Sequence, residues 1–116
     1  MRFDKFSFGA ISIDGETYEQ DVVIDRGEVR IRKKKPSKRF RDEFRHTPLS
    51  VQEKIPWNCE RLVIGTGFEG GLPVMPAVLK EAESRGVKVV VMPTAKAIEL
   101  LNRGRGATNA VLHITC

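Results

Sequence analysis

Arg61 to Pro76 reads RLVIGTGFEGGLPVMP, and the fold turns on how that stretch is read. Leu62-Val63-Ile64 is an apolar run too short for a helix and rich in β-branched side chains, which fits a buried strand. The run breaks at Gly65, and Gly67, Gly70 and Gly71 follow before Pro73 and Pro76. From Ala77 the apolar spacing becomes helical. A strand that passes through a glycine loop into a helix leaves bare amides at the carboxyl edge of a sheet, where anions and nucleotides bind. Gly65, Thr66, Gly67, Phe68, Gly70 and Gly71 are therefore the candidate ligand-binding residues.

Downstream, the spacing predicts a helix over Ala77–Arg85 with Val78, Leu79 and Ala82 inward, ended by Gly86 as a left-handed cap. Val87–Met92, VKVVVM, reads as a second buried strand. Thr94 is the expected N-cap of a further helix, with Ala97, Ile98 and Leu101 on its apolar stripe. Asn102–Gly106 reads as a glycine- and arginine-rich loop, and Asn109–Thr115 as the last strand, its direction open. Strand–helix–strand–helix–strand predicts parallel neighbours with right-handed crossovers.

Upstream, Phe3–Ile13 alternates roughly and Asp14-Gly15 is a strong hairpin signal. Glu16–Asp25 is a second strand candidate, and Arg26-Gly27 turns the chain again. Glu28–Arg32 alternates cleanly, which points Val29 and Ile31 to the core and Arg30 and Arg32 to water. These readings give a three-stranded antiparallel meander joined to a βαβαβ unit. Pro48, with Thr47 as cap, predicts a helix over Leu49–Ile55. The i, i+4 spacing of Phe40 and Phe44 allows a short helical turn against the core.

The chain has 116 residues, 41% hydrophobic and 30% charged, ordinary for one soluble domain spanning residues 1–116. No apolar run approaches the ~20 residues that span a bilayer. The start, MRFDKFSFGAI, lacks the long apolar region of a signal peptide. Cys59 and Cys116 are too few for a disulfide framework, so a reducing cytoplasm is the expected setting.

The net charge of +5 is concentrated in one segment. Between Arg26 and Arg45 ten basic residues face only Glu28, Asp42 and Glu43. The basic loop at 26–48 makes Lys33, Lys34, Lys35, Lys38, Arg39, Arg41 and His46 candidates for holding a partner or a polyanion. Phe40 and Phe44 interleave with these cations, as they would for stacking on bases.

Several motifs fail on context. Gly65-Thr-Gly-Phe-Glu-Gly70 spells G-x-G-x-x-G after a strand, but Pro73 and Pro76 delay the helix and no carboxylate ends the strand at Val87–Met92. No Gly-Lys-Ser/Thr follows, so it is not a Walker loop. His113 and Cys116 fall on opposite sides of a strand, which argues against a shared metal; a core or sheet-edge histidine is the better reading. Cys59 and Cys116 sit in no recognisable catalytic setting, and G-x-S-x-G and H-E-x-x-H are absent. No catalytic residue, metal ligand or cofactor is assigned.

Four blocks, FGAISIDGETYEQDVVI at Phe8–Ile24, LVIGTG at Leu62–Gly67, VMPTAKAIELLN at Val91–Asn102 and HITC at His113–Cys116, carry a likeness over nearly the whole chain. In them the chain resembles the small α/β family of largely unknown function that includes mitochondrial complex I assembly factor 3 and the adipogenesis-associated domain protein. The basic segment with His46 looks more like its archaeal and prokaryotic members. The resemblance implies a three-layer α/β domain around a mixed sheet, with no established catalytic residues to carry over. The combined reading is a non-enzymatic binding or assembly protein that uses the Gly65–Gly71 edge and the basic segment as its surfaces. A small enzyme or ligand carrier with an anion pocket at the glycine loop, and a nucleic-acid binder acting through the basic segment, are the alternatives. A protein partner is expected ahead of nucleic acid.

Overall fold

A computed structural model describes residues 1–104 and 106–116. Strands β1 (Phe3–Ser7), β2 (Ala10–Ile13) and β3 (Glu16–Tyr18) form an antiparallel sheet. Strands β4 (Val22–Asp25), β5 (Glu28–Ile31), β6 (Arg61–Thr66), β7 (Lys88–Met92) and β8 (Thr108–His113) form a second sheet in the order β5-β4-β8-β6-β7. β8 and β7 flank β6 in parallel, while β4 pairs antiparallel with both β8 and β5, so the sheet is mixed. Helices α2 (Pro76–Ser84) and α3 (Thr94–Arg103) are the crossovers. A 3₁₀ turn at Lys35–Phe40 runs into the one-turn helix α1 (Arg41–Phe44).

The layers follow from strand periodicity. On β6, Leu62 and Ile64 face one side and Val63 the other, all fully buried. Val63 joins Val22, Ile24, Ala110 and Leu112 beneath α3 and the small sheet, which contribute Ala97, Phe3, Ile11 and Ile13. Leu62 and Ile64 join Val23 and Val111 beneath α2 and the segment before β6, which contribute Val78, Ala82, Leu49 and Ile55. Each of the buried Val, Leu, Ile and Phe side chains among these stabilises the fold by about 1.5–3 kcal/mol relative to leaving it exposed. The result is three layers with the five-stranded sheet in the middle. Among the described residues no helix is long and apolar enough to cross a membrane.

Both dipeptide turns form as their residues demand. Asp14 and Gly15 have φ of 51° and 81°, and Arg26 and Gly27 have 50° and 83°, the paired positive values of a type I′ hairpin. The expected single strand over Phe3–Ile13 is instead the β1–β2 hairpin, and the Gly9 amide at its tip donates to Ile114 O at 2.7 Å. The candidate strand Glu16–Asp25 divides between the two sheets, because Asp21 turns inward to accept the Ile114 amide at 2.9 Å.

The helix expected over Leu49–Ile55 does not form. Leu49 is extended and bridges Val74 in parallel, donating to Pro73 O at 2.9 Å and accepting from the Met75 amide at 3.0 Å. This segment covers the face of β5 that alternation assigned to water. Arg32 is accordingly 6% exposed and Ile31 36% exposed, the reverse of the expectation. Leu79, expected inward, is 45% exposed. Thr94 is the first residue of α3 and Pro93 occupies the cap position, because the threonine hydroxyl is bound elsewhere. The last strand, open in direction from sequence, runs parallel to β6. Of the loop expected at 102–106, Asn102 and Arg103 belong to α3 and Arg105 lies outside the described residues.

Candidate functional site

The carboxyl ends of β6 and β8 meet at the glycine loop. Gly65 has no room for a side chain: a Cβ there would lie 2.8 Å from Thr94 Oγ1 and 2.9 Å from Leu112 Cδ2. Gly67 has φ of +107°, and its Cβ would lie 2.5 Å from Thr115 O and 2.7 Å from His113 Cδ2. Both glycines are thus needed for close approach. Thr94 Oγ1 closes the junction by accepting from the Gly67 amide at 2.8 Å and donating to His113 O at 2.6 Å. The Phe68 amide donates to Thr115 O at 2.7 Å, and those of Glu69 and Gly71 donate to Cys116 O at 3.0 and 2.9 Å. The loop therefore holds residues 113–116 in place with the amides that flank it.

Behind this edge lies a buried ionic network. Arg32, at the end of β5, donates from Nη1 to Asp21 Oδ2 at 2.8 Å. Its Nε and Nη2 reach Glu53 Oε1 and Oε2, each at 2.8 Å, in a two-pronged fork. Nη2 also donates to Pro48 O at 3.1 Å. Ser37 donates to Glu53 and contacts Ser50 Oγ at 2.6 Å, which ties the 3₁₀ turn to the same cluster. Burial alone would push the Asp21 carboxyl up; His113, the Ile114 amide and Arg32 together outweigh it and hold the group below the usual carboxylate range. Burial likewise works against the Arg32 charge, and Glu53 and Asp21 override it, raising the guanidinium above its ordinary value.

His113 connects the network to the surface. Its Nδ1 lies 2.8 Å from Asp21 Oδ2, and its Nε2 lies 3.3 Å from Thr115 Oγ1. Asp21 Oδ2 is placed to accept a proton carried on Nδ1, and Nε2 faces the Thr115 hydroxyl. Outside it is a pocket of about 320 Å³ lined by Lys34, Lys38, Arg41, Arg45, His46 and Thr47 from the basic segment, by His113 at the end of β8 and by Thr115 and Cys116 beyond it. Among the described residues, none of Lys34, Lys38, Arg41 and Arg45 has an acidic side chain within ion-pair distance. Four cations with no acidic side chain within ion-pair distance among the described residues make a positively charged concavity.

The structure thus brings Lys34, Lys38, Arg41 and His46 together and leaves other sequence candidates apart. Lys33 lines a separate cavity of about 430 Å³ with Arg30, Ile31 and Lys54. Lys35 and Arg39 line neither, and the Arg39 guanidinium sits 4.9 Å over the Phe40 ring. Phe40 and Phe44 are half-buried. Phe68 is 51% exposed and packs with Phe6 and Phe8 at centroid distances of 5.9 and 6.1 Å, an aromatic patch beside the loop. Sequence reasoning missed Arg45, Thr115 and the Asp21–Arg32–Glu53 network. The available signal was slight: Asp21 directly precedes the apolar run Val22-Val23-Ile24, while Glu53 lies between Gln52 and Lys54 and carries no local mark of burial.

Comparison with known proteins adds a family and a fold. A conserved hypothetical protein from Pyrococcus horikoshii is 26% identical over 100% of both chains, with a TM-score of 0.83. The protein MT938 is 24% identical over 99% of this chain and 98% of its own, with a TM-score of 0.74. A protein from Bartonella henselae described as an outer membrane protein is 15% identical over 98% of this chain and 94% of its own, with a TM-score of 0.68, a likeness of fold alone. No curated protein matches the chain. Residues 3–113 match the family described as protein of unknown function (DUF498/DUF598), and the chain belongs to that family.

Proposed function

We propose that the protein is a non-enzymatic binding protein that docks an acidic protein partner at its cationic pocket. The observation that carries this reading is the convergence of Lys34, Lys38, Arg41 and Arg45 on one concavity with no acidic partner among the described residues. Such cations steer and orient a complementary anionic surface. The Phe6, Phe8 and Phe68 patch supplies the apolar contact that a protein interface adds to charge. The Gly65–Gly71 loop enters the reading as the support of the pocket floor, with Phe68 as its exposed contact.

Nucleic acid is the weaker partner. Its recognition through this segment needs Phe40 and Phe44 as stacking platforms, and both rings are half-buried, one of them covered by Arg39. A small anionic ligand in the same pocket is the second reading, favoured by the pocket's concave form. The test is fluorescence anisotropy with labelled polyglutamate, single-stranded RNA and heparin at two salt concentrations. The account expects saturable binding of the acidic peptide that weakens with salt and is lost in the Lys38→Glu, Arg41→Glu double variant. Tight, saturable binding of RNA at physiological salt with no binding of the peptide would overturn it.

A further inference from the structure

We propose that the anionic group received by the pocket is a phosphate monoester, contacted at the pocket floor by His113. This rests on the anion-docking reading and names the chemistry of its ligand. Four cations and two histidines surround a space of about 320 Å³. A carboxylate brings one charge and two acceptor oxygens to them. A phosphate monoester brings nearly two charges and three strong acceptors, which matches the donors of Arg41, Arg45, Lys34 and Lys38.

The floor carries the more specific argument. Asp21, Arg32 and Glu53 are buried together and sum to one negative charge. His113 stands between that buried charge and the pocket, with Asp21 on Nδ1 and Nε2 turned toward Thr115. Its imidazole packs against Gly67, where any side chain would collide with it. A protonated His113 is neutralised from behind by Asp21 and offers Nε2–H to a dianion in front. Proton uptake by His113 and capture of a doubly charged anion therefore reinforce each other.

The groups that bear on this proton are Asp21 and, behind it, Arg32 and Glu53. Lys34, Lys38, Arg41, Arg45, His46 and Cys116 bear on it from across the pocket. Glu19 borders an adjoining cavity with Lys34 and Thr115. Of these side-chain types only histidine ordinarily changes charge between about pH 5.5 and 8.

The proposal is tested by isothermal titration of the full chain with inorganic phosphate, sulfate and acetate. A phosphoserine peptide, its serine and glutamate counterparts and a nucleoside monophosphate complete the series. The account expects phosphate and the phosphoserine peptide to bind about tenfold or more tightly than acetate and the glutamate peptide, the scale of one added charge-assisted hydrogen bond. Preference between the phosphoserine peptide and the nucleotide tells a phosphorylated partner from a free phosphate metabolite. Sulfate stays doubly charged throughout, so the fall in its affinity from pH 5.5 to 8 reads the protein alone, roughly across the range where histidine titrates. His113→Gln should remove most of that fall, and His46→Gln only a minor share, with urea midpoints confirming that both variants fold. Equal affinity for the glutamate and phosphoserine peptides, or an unchanged pH dependence in His113→Gln, would overturn the proposal while leaving the docking reading standing. Failure of every anion and of polyglutamate to bind would overturn both.

Discussion

Arg32 holds its guanidinium 2.8 Å from both Asp21 and Glu53 with its side chain 1% exposed. Arg32→Met would strand two buried carboxylates, and we predict a loss of about 3–5 kcal/mol in urea unfolding. Asp21 adds a pH signature. Its folded pKa is depressed, so the stability it contributes is fully present above the unfolded value of about 3.9 and is lost as pH falls through the folded value. Asp21→Asn should therefore flatten the acid limb of the stability profile as well as lower its plateau. Gly67 makes a second residue-scale prediction: with φ of +107° and backbone 2.5 Å from its missing Cβ, Gly67→Ala should cost more than the ~1–3 kcal/mol of local strain alone. A variant melting like the wild type would remove the close-approach argument. Gly67 was legible from sequence because a glycine after a strand marks a backbone constraint. Arg32 was not, because alternation gives a strand's period and says nothing of what covers each face.

The elements that came through from sequence are those with local causes. Asp14-Gly15 and Gly27 favour turns because Gly, and to a lesser degree Asp, tolerates positive φ, and Leu62-Val63-Ile64 favours a strand by burial on both faces. The segment Leu49–Ile55 was misread as a helix because its structure has no local cause. Leu49 pairs with Val74, Glu53 with Arg32, and the Asn109 side chain donates to Pro56 O, all partners distant in sequence. The α2 helix shows the same limit, since helical spacing admitted Leu79 to the inner stripe while only Val78 and Ala82 are buried on it. Two leucines measure the difference. Leu62→Ala should destabilise by about 2–5 kcal/mol, as for a fully buried side chain in a well-packed core. Leu79→Ala should stay within about 0.5 kcal/mol, as for a surface change. Chemical denaturation of the two variants side by side checks both, and a large loss at Leu79 would mean that α2 is covered in solution.

In the whole molecule, charge and topology meet at one edge of the sheet. The parallel strands β6 and β8 end there, β4 begins there after Asp21, and β5 ends there before Arg32. The basic segment is fastened to that edge by Ser37 and Glu53, which is why only some of its cations converge while Lys33, Lys35 and Arg39 face elsewhere. Sequence gave the charge of this segment and not its direction, because direction is set by the buried network. We propose this edge as the place where the protein meets an anionic partner. Amide and side-chain NMR shifts during a titration with polyglutamate test it most directly. The largest shifts should fall on Lys34, Lys38, Arg41, Arg45, His46, His113 and Thr115 and grow smaller as salt is added. Shifts confined to α2 and β7, or none at any peptide concentration, would contradict it.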